Sequence, residues 1–234
     1  MPGSYRGSMK QLIKKAFSVT GFGVYRLNAE TKQPPKPVVK SPLHHNSKEG
    51  LDEFYLDKEL VESYLDLQFY ERLIAFLAAR GVVYKSKRVA DVGCGTGNLL
   101  KFILPYGPAT VTGFEYSENA LAIARSQLPE IDFQYLDVYK PTTAQFDVIF
   151  CVEVLEHLLY PDTALHNIVQ MLAPNGVALL TVPNGRIDTF EGHINFWSPE
   201  SWKVLLERNG ESCDIDTGLL EEGAHNFAVI SKKA

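Results

Sequence analysis

The chain has 234 residues, 45% of them hydrophobic and 22% charged, and a formal net charge of −5 at pH 7. This predicts one large α/β domain with a sizeable core. No apolar run approaches the ~20 residues that span a bilayer, and the start MPGSYRGSMK lacks the apolar stretch of a secretory signal. The separated cysteines Cys94, Cys151 and Cys213 exclude a disulfide framework and favour a reducing cytosol.

Charge is distributed unevenly along the chain. Residues 1–48 hold nine Lys/Arg against one acidic residue, a balance of +8, and the remainder carries −13. The body is therefore predicted to offer no general basic surface, so nucleic acid is a disfavoured partner.

We expect two parts: residues 1–50 as a basic N-terminal arm with a Pro-rich linker, and residues 51–234 as the functional domain. The arm begins with 9-MKQLIKKAF-17, whose spacing predicts a short basic amphipathic helix. Packing of this helix on the body or on a second subunit is favoured over peripheral contact of residues 9–20 with an anionic inner-membrane surface. The segment 33–50 is interpreted as a linker, with His44 and His45 solvated and without a role.

From residue 51 the pattern becomes regular. Residues 51–80 are predicted to be helical with a break near Leu67, and strands then alternate with helices. The predicted strands are 88–92, 110–115, 132–136, 146–152, 176–182, 212–217 and 225–231, and the predicted helices are 97–104, 117–127, 162–172 and 199–210. Such alternation is typical of a mostly parallel sheet covered by helices on both faces.

The strongest motif is 88-RVADVGCGTGNLLKFI-103, a strand followed by a glycine-rich turn and a helix. Its spacing is G-x-G-x-G rather than the G-x-G-x-x-G of dinucleotide-binding sites. Acidic residues precede the loop and end the next two strands, at Asp91, Glu115 and Asp137. Because parallel strands end at one edge of a sheet, we expect these acids to meet there, where open α/β sheets bind ligands.

The motifs DVGCGTG, 114-FEYS-117, 136-LDVY-139 and 147-DVIFCVEVLEH-157 resemble those of class I S-adenosylmethionine-dependent methyltransferases. The resemblance implies a Rossmann-like sheet of seven strands, mostly parallel, with the last strand antiparallel. It also implies that the glycine loop contacts the methionine moiety, that Glu115 holds the ribose and that Asp137 meets the adenine. The implied cofactor-binding residues are Asp91, Gly93, Gly95, Gly97, Glu115, Tyr116, Asp137, Val138 and Val152.

Glu153, Glu156 and His157 follow the fourth predicted strand. If the chain becomes helical there, the i, i+3, i+4 spacing places all three on one face. Three interpretations remain open: a divalent metal site, a metal-free general base at His157, or a structural cluster. An oxygen acceptor is favoured, because a hydroxyl must lose its proton and an amine need not.

The pattern E-x-x-E-H, followed by His193 after strand five, resembles ubiquinone-biosynthesis O-methyltransferases and small-RNA 2′-O-methyltransferases. That resemblance implies Glu153, Glu156, His157 and His193 as ligands of Mg²⁺ or another divalent metal, and His157, Glu153 and His193 as catalytic residues.

A small-molecule, glycan or lipid-linked acceptor is favoured over RNA, since RNA binding relies on many phosphate contacts. The alternative to an enzyme is a binding module that keeps the cofactor site but catalyses no reaction. A cytoplasmic protein is expected, with an oligomer and peripheral contact with the inner membrane surface left open.

Overall fold

The computed structural model describes residues 42–63, 65–210 and 213–233. The predicted basic helix at 9–17 and residues 33–41 of the predicted linker lie outside these described residues. Within the described part of the chain, every helix is too short or too polar to cross a bilayer.

A seven-stranded sheet forms the centre of the described domain, in the order β3-β2-β1-β4-β5-β7-β6. The strands are β1 Arg88–Val92, β2 Thr110–Glu115, β3 Asp132–Tyr135, β4 Phe146–Val152, β5 Leu172–Pro183, β6 Cys213–Leu220 and β7 His225–Lys232. Strands β1 to β5 pair in parallel, and β7 runs antiparallel to both of its neighbours. The predicted sheet, including its antiparallel last strand, is confirmed.

Helices precede and connect the strands. They are α1 Pro42–His45, α2 Lys48–Phe54, α3 Lys58–Ser63, α4 Leu67–Ala79, α5 Asn98–Ile103, α6 Glu118–Gln127, α7 Pro161–Gln170 and α8 Pro199–Asn209. The linker interpretation is wrong for residues 42–50, which form α1 and the start of α2. The polar side chain of Ser47 accepts a hydrogen bond from Gly50 N and caps α2, so a residue typical of a linker instead begins a helix.

The sheet is buried on both faces because successive strand residues point to opposite sides. In β4, Val148 and Phe150 belong to the cluster beneath α4, α5 and α6, whereas Ile149 and Cys151 belong to the cluster beneath α7 and α8. This three-layer arrangement leaves the carboxyl ends of β1, β2 and β4 side by side at one edge. The strand order reverses between β1 and β4, where such sheets bind ligands.

We predict that Tyr84→Phe lowers the free energy of unfolding by about 1 kcal/mol, because it removes one buried hydrogen bond. The Tyr84 side chain is buried, and its hydroxyl donates to Ile74 O of α4 at 2.8 Å. Urea unfolding measures the loss. Tyr106→Phe is the control, since this half-exposed ring lies 5.3 Å from that of Tyr84. Equal stability of the two variants would contradict the prediction.

Candidate active site

A cavity of about 1080 Å³ opens at the carboxyl edge of the sheet. Its floor is the glycine loop after β1 together with the ends of β2 and β4, and its cover comes from α2 and α4. Its volume reaches the upper end of the range for small-molecule sites, so it has room for a cofactor and an acceptor together.

The glycine loop is closely packed. Gly93 has φ +79°, and a Cβ at this position would lie 2.4 Å from Val154 Cγ2. Gly97 has φ +82°, and its Cβ would lie 2.6 Å from the ring of Phe133. Because both positions combine a left-handed backbone with no space for a side chain, only glycine suits them. The loop therefore brings bare backbone to the cavity.

Two buried carboxylates lie beneath this loop. Glu115 accepts hydrogen bonds from the backbone N–H of Gly95 (2.9 Å), Tyr116 (2.7 Å) and Ser117 (2.9 Å). Burial raises the pKa of Glu115, against the opposing effect of these hydrogen bonds. Burial, and then the nearby Glu115, raises the pKa of Asp91 to about 8. Such a pair suits a ligand that carries positive charge and hydroxyl donors.

The remaining predicted cofactor residues also lie around the cavity. Asp137 accepts from Tyr139 N at 3.1 Å, and its Oδ2 lies 3.2 Å from Lys140 Nζ. The ring of Tyr116 lies 5.6 Å from that of Tyr135. Val138 and Val152 line the same cavity. Seven of the nine predicted residues therefore line this cavity, while Asp91 lies within β1 and Gly97 at the start of α5, and the roles of all nine stay predictions.

Glu156, His157 and His193 form what we call the polar centre. Nε2 of each histidine lies 3.9 Å from Glu156 Oε1. The Glu156 carboxylate is 1% exposed, and neither of its oxygens has a hydrogen-bond partner among the described residues. One ligand atom from each of the three residues lies within 4.8 Å of the others. A carboxylate in this position is costly to bury unless a cation or a proton accompanies it.

The Nδ1 atoms of the two histidines each contact an oxygen atom on the side of the ring away from Glu156. Nδ1 of His193 lies 2.6 Å from Asp188 Oδ2, and Nδ1 of His157 lies 2.9 Å from Asn46 Oδ1. Burial, and then His193, lowers the pKa of His157 to about 3, so this imidazole is neutral near pH 7. Burial, and then Glu153, raises the pKa of Glu156 well above its usual value.

The chain does not continue as a helix directly after β4, so the condition for placing Glu153, Glu156 and His157 on one helical face is not met. Glu153 has φ +54°, and its side chain lies beside His225, with Oε1 3.2 Å from Nδ1. A single 3₁₀ turn, Leu155–His157, follows. Of the four predicted metal ligands, the structure therefore groups Glu156, His157 and His193. Glu153 instead pairs with His225.

Sequence reasoning missed four residues at the site: His45, Asn46, Asp188 and His225. The ring of His45, expected to be solvated, lies 6.2 Å from that of His157. His225, given no role, stacks on Phe69 at 4.7 Å. Burial opposes a charge on His225, but Glu153 outweighs it and raises the pKa. Asp188 precedes His193 by only five residues, so the sequence could have indicated their contact. No local pattern marks the other three residues.

The aromatic residues after β5 divide between core and cavity side. Trp202 is buried, and its Nε1 donates to Phe227 O at 3.1 Å, so this side chain belongs to the core. Phe196 is half-exposed, with its ring 6.3 Å from that of His193.

Comparison with known proteins identifies the class. A family model described as a methyltransferase domain matches residues 61–212, more than half of the chain. The chain belongs to this methyltransferase family, and the predicted class is confirmed. It is 38% identical over 153 residues to a ubiquinone biosynthesis O-methyltransferase of Azoarcus sp., covering 62% of this chain and 58% of that protein.

A second relative is a trans-aconitate 2-methyltransferase of Delftia acidovorans, 33% identical over 120 residues, with 49% of this chain and 45% of that protein covered. The chain thus spans about half the length of these curated relatives. Among solved structures, the N-methyltransferase NodS of Bradyrhizobium japonicum, in complex with S-adenosyl-L-homocysteine, superposes with a TM-score of 0.65 at 18% identity. That alignment covers 81% of this chain and all of NodS, and it shows the shared fold.

We predict that Glu115→Gln weakens binding of S-adenosylhomocysteine by roughly 10- to 150-fold, because a hydrogen bond to a charged group contributes about 1.5–3 kcal/mol. Calorimetry measures the dissociation constant. Glu118→Gln removes one negative charge from an exposed position at the start of α6 and serves as the control. Equal affinities of the two variants would remove Glu115 from the cofactor site.

Proposed function

We propose that the protein is an S-adenosylmethionine-dependent O-methyltransferase that acts on a hydroxyl group of a small-molecule, glycan or lipid-linked acceptor. The observation that carries this proposal is the position of the polar centre. A buried carboxylate flanked by two imidazoles lines the same cavity as the glycine loop. Groups that can stabilise or accept a departing proton therefore lie beside the cofactor loop, as oxygen methylation requires.

The residues at the sheet edge fit S-adenosylmethionine. The glycine loop brings the backbone of Gly93 and Gly95 to the cavity, and the buried acidic side chains of Asp91 and Glu115 suit a cationic ligand. When bound, this cofactor would supply a methyl group to a nucleophilic oxygen, with S-adenosylhomocysteine as the leaving group. We assign Glu115 to the ribose hydroxyls and Asp137 with Val138 to the adenine.

Helix α2 covers part of this site. The hydroxyl of Tyr55, at the end of α2, lies only 2.9 Å from where a Cβ on Gly95 would stand. Asp52 Oδ1 accepts from Ser117 Oγ at 2.6 Å and ties α2 to the start of α6. Shielding of this kind reduces the contact of the cavity with solvent, which strengthens electrostatic interactions within it.

The polar centre also fits a divalent metal ion. Glu156 brings a carboxylate without other partners, and His157 and His193 turn their Nε2 atoms towards it. Such an ion lowers the pKa of a hydroxyl that it binds. Two imidazoles with one carboxylate suit a transition metal such as Co²⁺ or Zn²⁺ better than Mg²⁺, which prefers oxygen ligands. Glu153 would have to leave His225 to become a further ligand.

Three observations support a small acceptor over RNA. The body of the chain carries −13, which disfavours phosphate binding. The polar centre lines a cavity of about 1080 Å³, a size that suits small molecules. Both curated relatives are named for small-molecule methylation. We retain as part of the proposal a cytoplasmic protein whose basic residues 9–20 contact a second subunit or a membrane surface.

Metal binding is expected to depend on the polar centre. Titrating metal-free protein with Co²⁺ should give binding at least tenfold tighter than with Mg²⁺, because imidazole prefers the transition metal. His193→Ala should weaken Co²⁺ binding by roughly 10- to 100-fold or more. His166→Ala, which removes an exposed histidine from α7, is the matched control. Full methyl transfer after exhaustive chelation would contradict a role for a metal ion in the reaction. His157 would then be left as the candidate general base.

Transfer to oxygen is tested with S-adenosylmethionine labelled on the methyl group and paired acceptors that differ only in a hydroxyl or an amine. We expect label in the methyl ether and at least a hundredfold less in the methylamine, since the site is built to handle a hydroxyl proton. Mass spectrometry of the products measures both. Preferential labelling of the amine would overturn the proposed reaction, and failure to bind S-adenosylhomocysteine would overturn the cofactor.

A further inference from the structure

Asn46 connects two segments that each carry a histidine of the polar centre. It lies between α1 and α2, before the region 61–212 that matches the methyltransferase family. Its Oδ1 lies 2.9 Å from Nδ1 of His157, and its Nδ2 donates to Gly192 O at 2.8 Å. Gly192 directly precedes His193. One amide side chain therefore holds both histidine-bearing loops.

The contact with Gly192 fixes the direction of the other hydrogen bond. A backbone carbonyl only accepts, so the amide group of Asn46 must turn its NH₂ towards Gly192. Its oxygen then faces His157, and because this oxygen also only accepts, Nδ1 of His157 must be the donor. A neutral imidazole with its proton on Nδ1 has a lone pair on Nε2. That atom is the one that lies 3.9 Å from Glu156.

The arrangement at His193 is parallel. Asp188 Oδ2 lies 2.6 Å from Nδ1 of His193, and its other oxygen accepts from Phe190 N at 3.0 Å. A carboxylate accepts here, so Nδ1 of His193 carries a proton and Nε2 is the nitrogen that faces Glu156. The Nδ1 atom of each histidine thus donates to an acceptor, which is an amide oxygen for His157 and a carboxylate oxygen for His193.

We infer that Asn46 is a positioning residue, which keeps His157 in the Nδ1–H form and its Nε2 lone pair directed at the polar centre. The inference rests on the proposed function, since it assigns a purpose to that lone pair. Partners of this kind orient metal-bound histidines and raise their affinity for the ion. It also makes the segment 42–55 part of the site, although the family model does not include it.

The anchorage of this segment supports the assignment. Ser47 caps α2 through Gly50 N, and Asp52 Oδ1 accepts from Ser117 Oγ. Asn119 Nδ2 donates to Asp52 O at 2.9 Å. Because three further hydrogen bonds fix the backbone around Asn46, its amide is held in place rather than free to rotate away.

The proton position is measured directly by NMR of ¹⁵N-histidine-labelled, metal-free protein near neutral pH. For the wild type we expect the His157 signals of the Nδ1–H form. Asn46→Ala should shift them to the Nε2–H form, which neutral imidazole favours in water. Asn46→Asp loses the donor to Gly192 O but keeps an acceptor opposite Nδ1 of His157, and it should therefore restore the Nδ1–H form. A wild-type His157 protonated on Nε2, or an Asn46→Ala spectrum unchanged from wild type, would overturn the inference.

Co²⁺ affinity gives the second readout. Asn46→Ala should weaken binding by roughly 10- to 100-fold, and Asn46→Asp should recover most of the loss. Asn119→Ala removes a comparable bond from the same segment without touching His157, and it should change the affinity by no more than about twofold. Equal losses in the Asn46 and Asn119 variants would show a merely structural role. Both readouts are independent of S-adenosylhomocysteine binding, so failure of the proposed reaction is recognised separately.

Discussion

The site depends on the burial of one carboxylate. The Glu156 carboxylate is 1% exposed, and Nε2 of His157 and Nε2 of His193 each lie 3.9 Å from its Oε1. A charged carboxylate in such a low-dielectric space is unfavourable unless a cation or a proton joins it, and burial accordingly raises the pKa of Glu156. This distinguishes Glu156 from a core residue whose polar atoms are all paired. Asn46 and Asp188 each contact the Nδ1 atom of one histidine, so both Nε2 atoms stay directed at Glu156.

The sheet explains why these groups meet the cofactor loop. Parallel pairing of β1 with β2 and β4 brings Asp91, Glu115 and Val152 to one edge. The antiparallel β7 reaches the same edge from the other direction, since His225 pairs in register with Pro183 at the end of β5. Topology thus gathers side chains from four strands, and the loops after β4 and β5 add the polar centre.

The sequence predicted the parts of the site that follow from strand ends. The glycine loop, Glu115 and Asp137 each come directly after an apolar run, so their common edge follows from parallel pairing alone. The same reasoning failed at Glu153, because a left-handed residue after β4 reverses the direction of its side chain. It also failed at Asn46 and His225, whose partners are 111 and 72 positions away along the chain and follow only from tertiary packing. Pattern and spacing carry no information on such contacts.

The position of α2 links two parts of the site that are far apart in the cavity wall. Tyr55, directly after this helix, lies against Gly95 of the glycine loop, and Asn46 lies just before its other end. Asp52, in the middle of α2, accepts from Ser117 Oγ and anchors both ends through one helix. Any displacement of α2 would therefore change the contact at the glycine loop and the contact at His157 together.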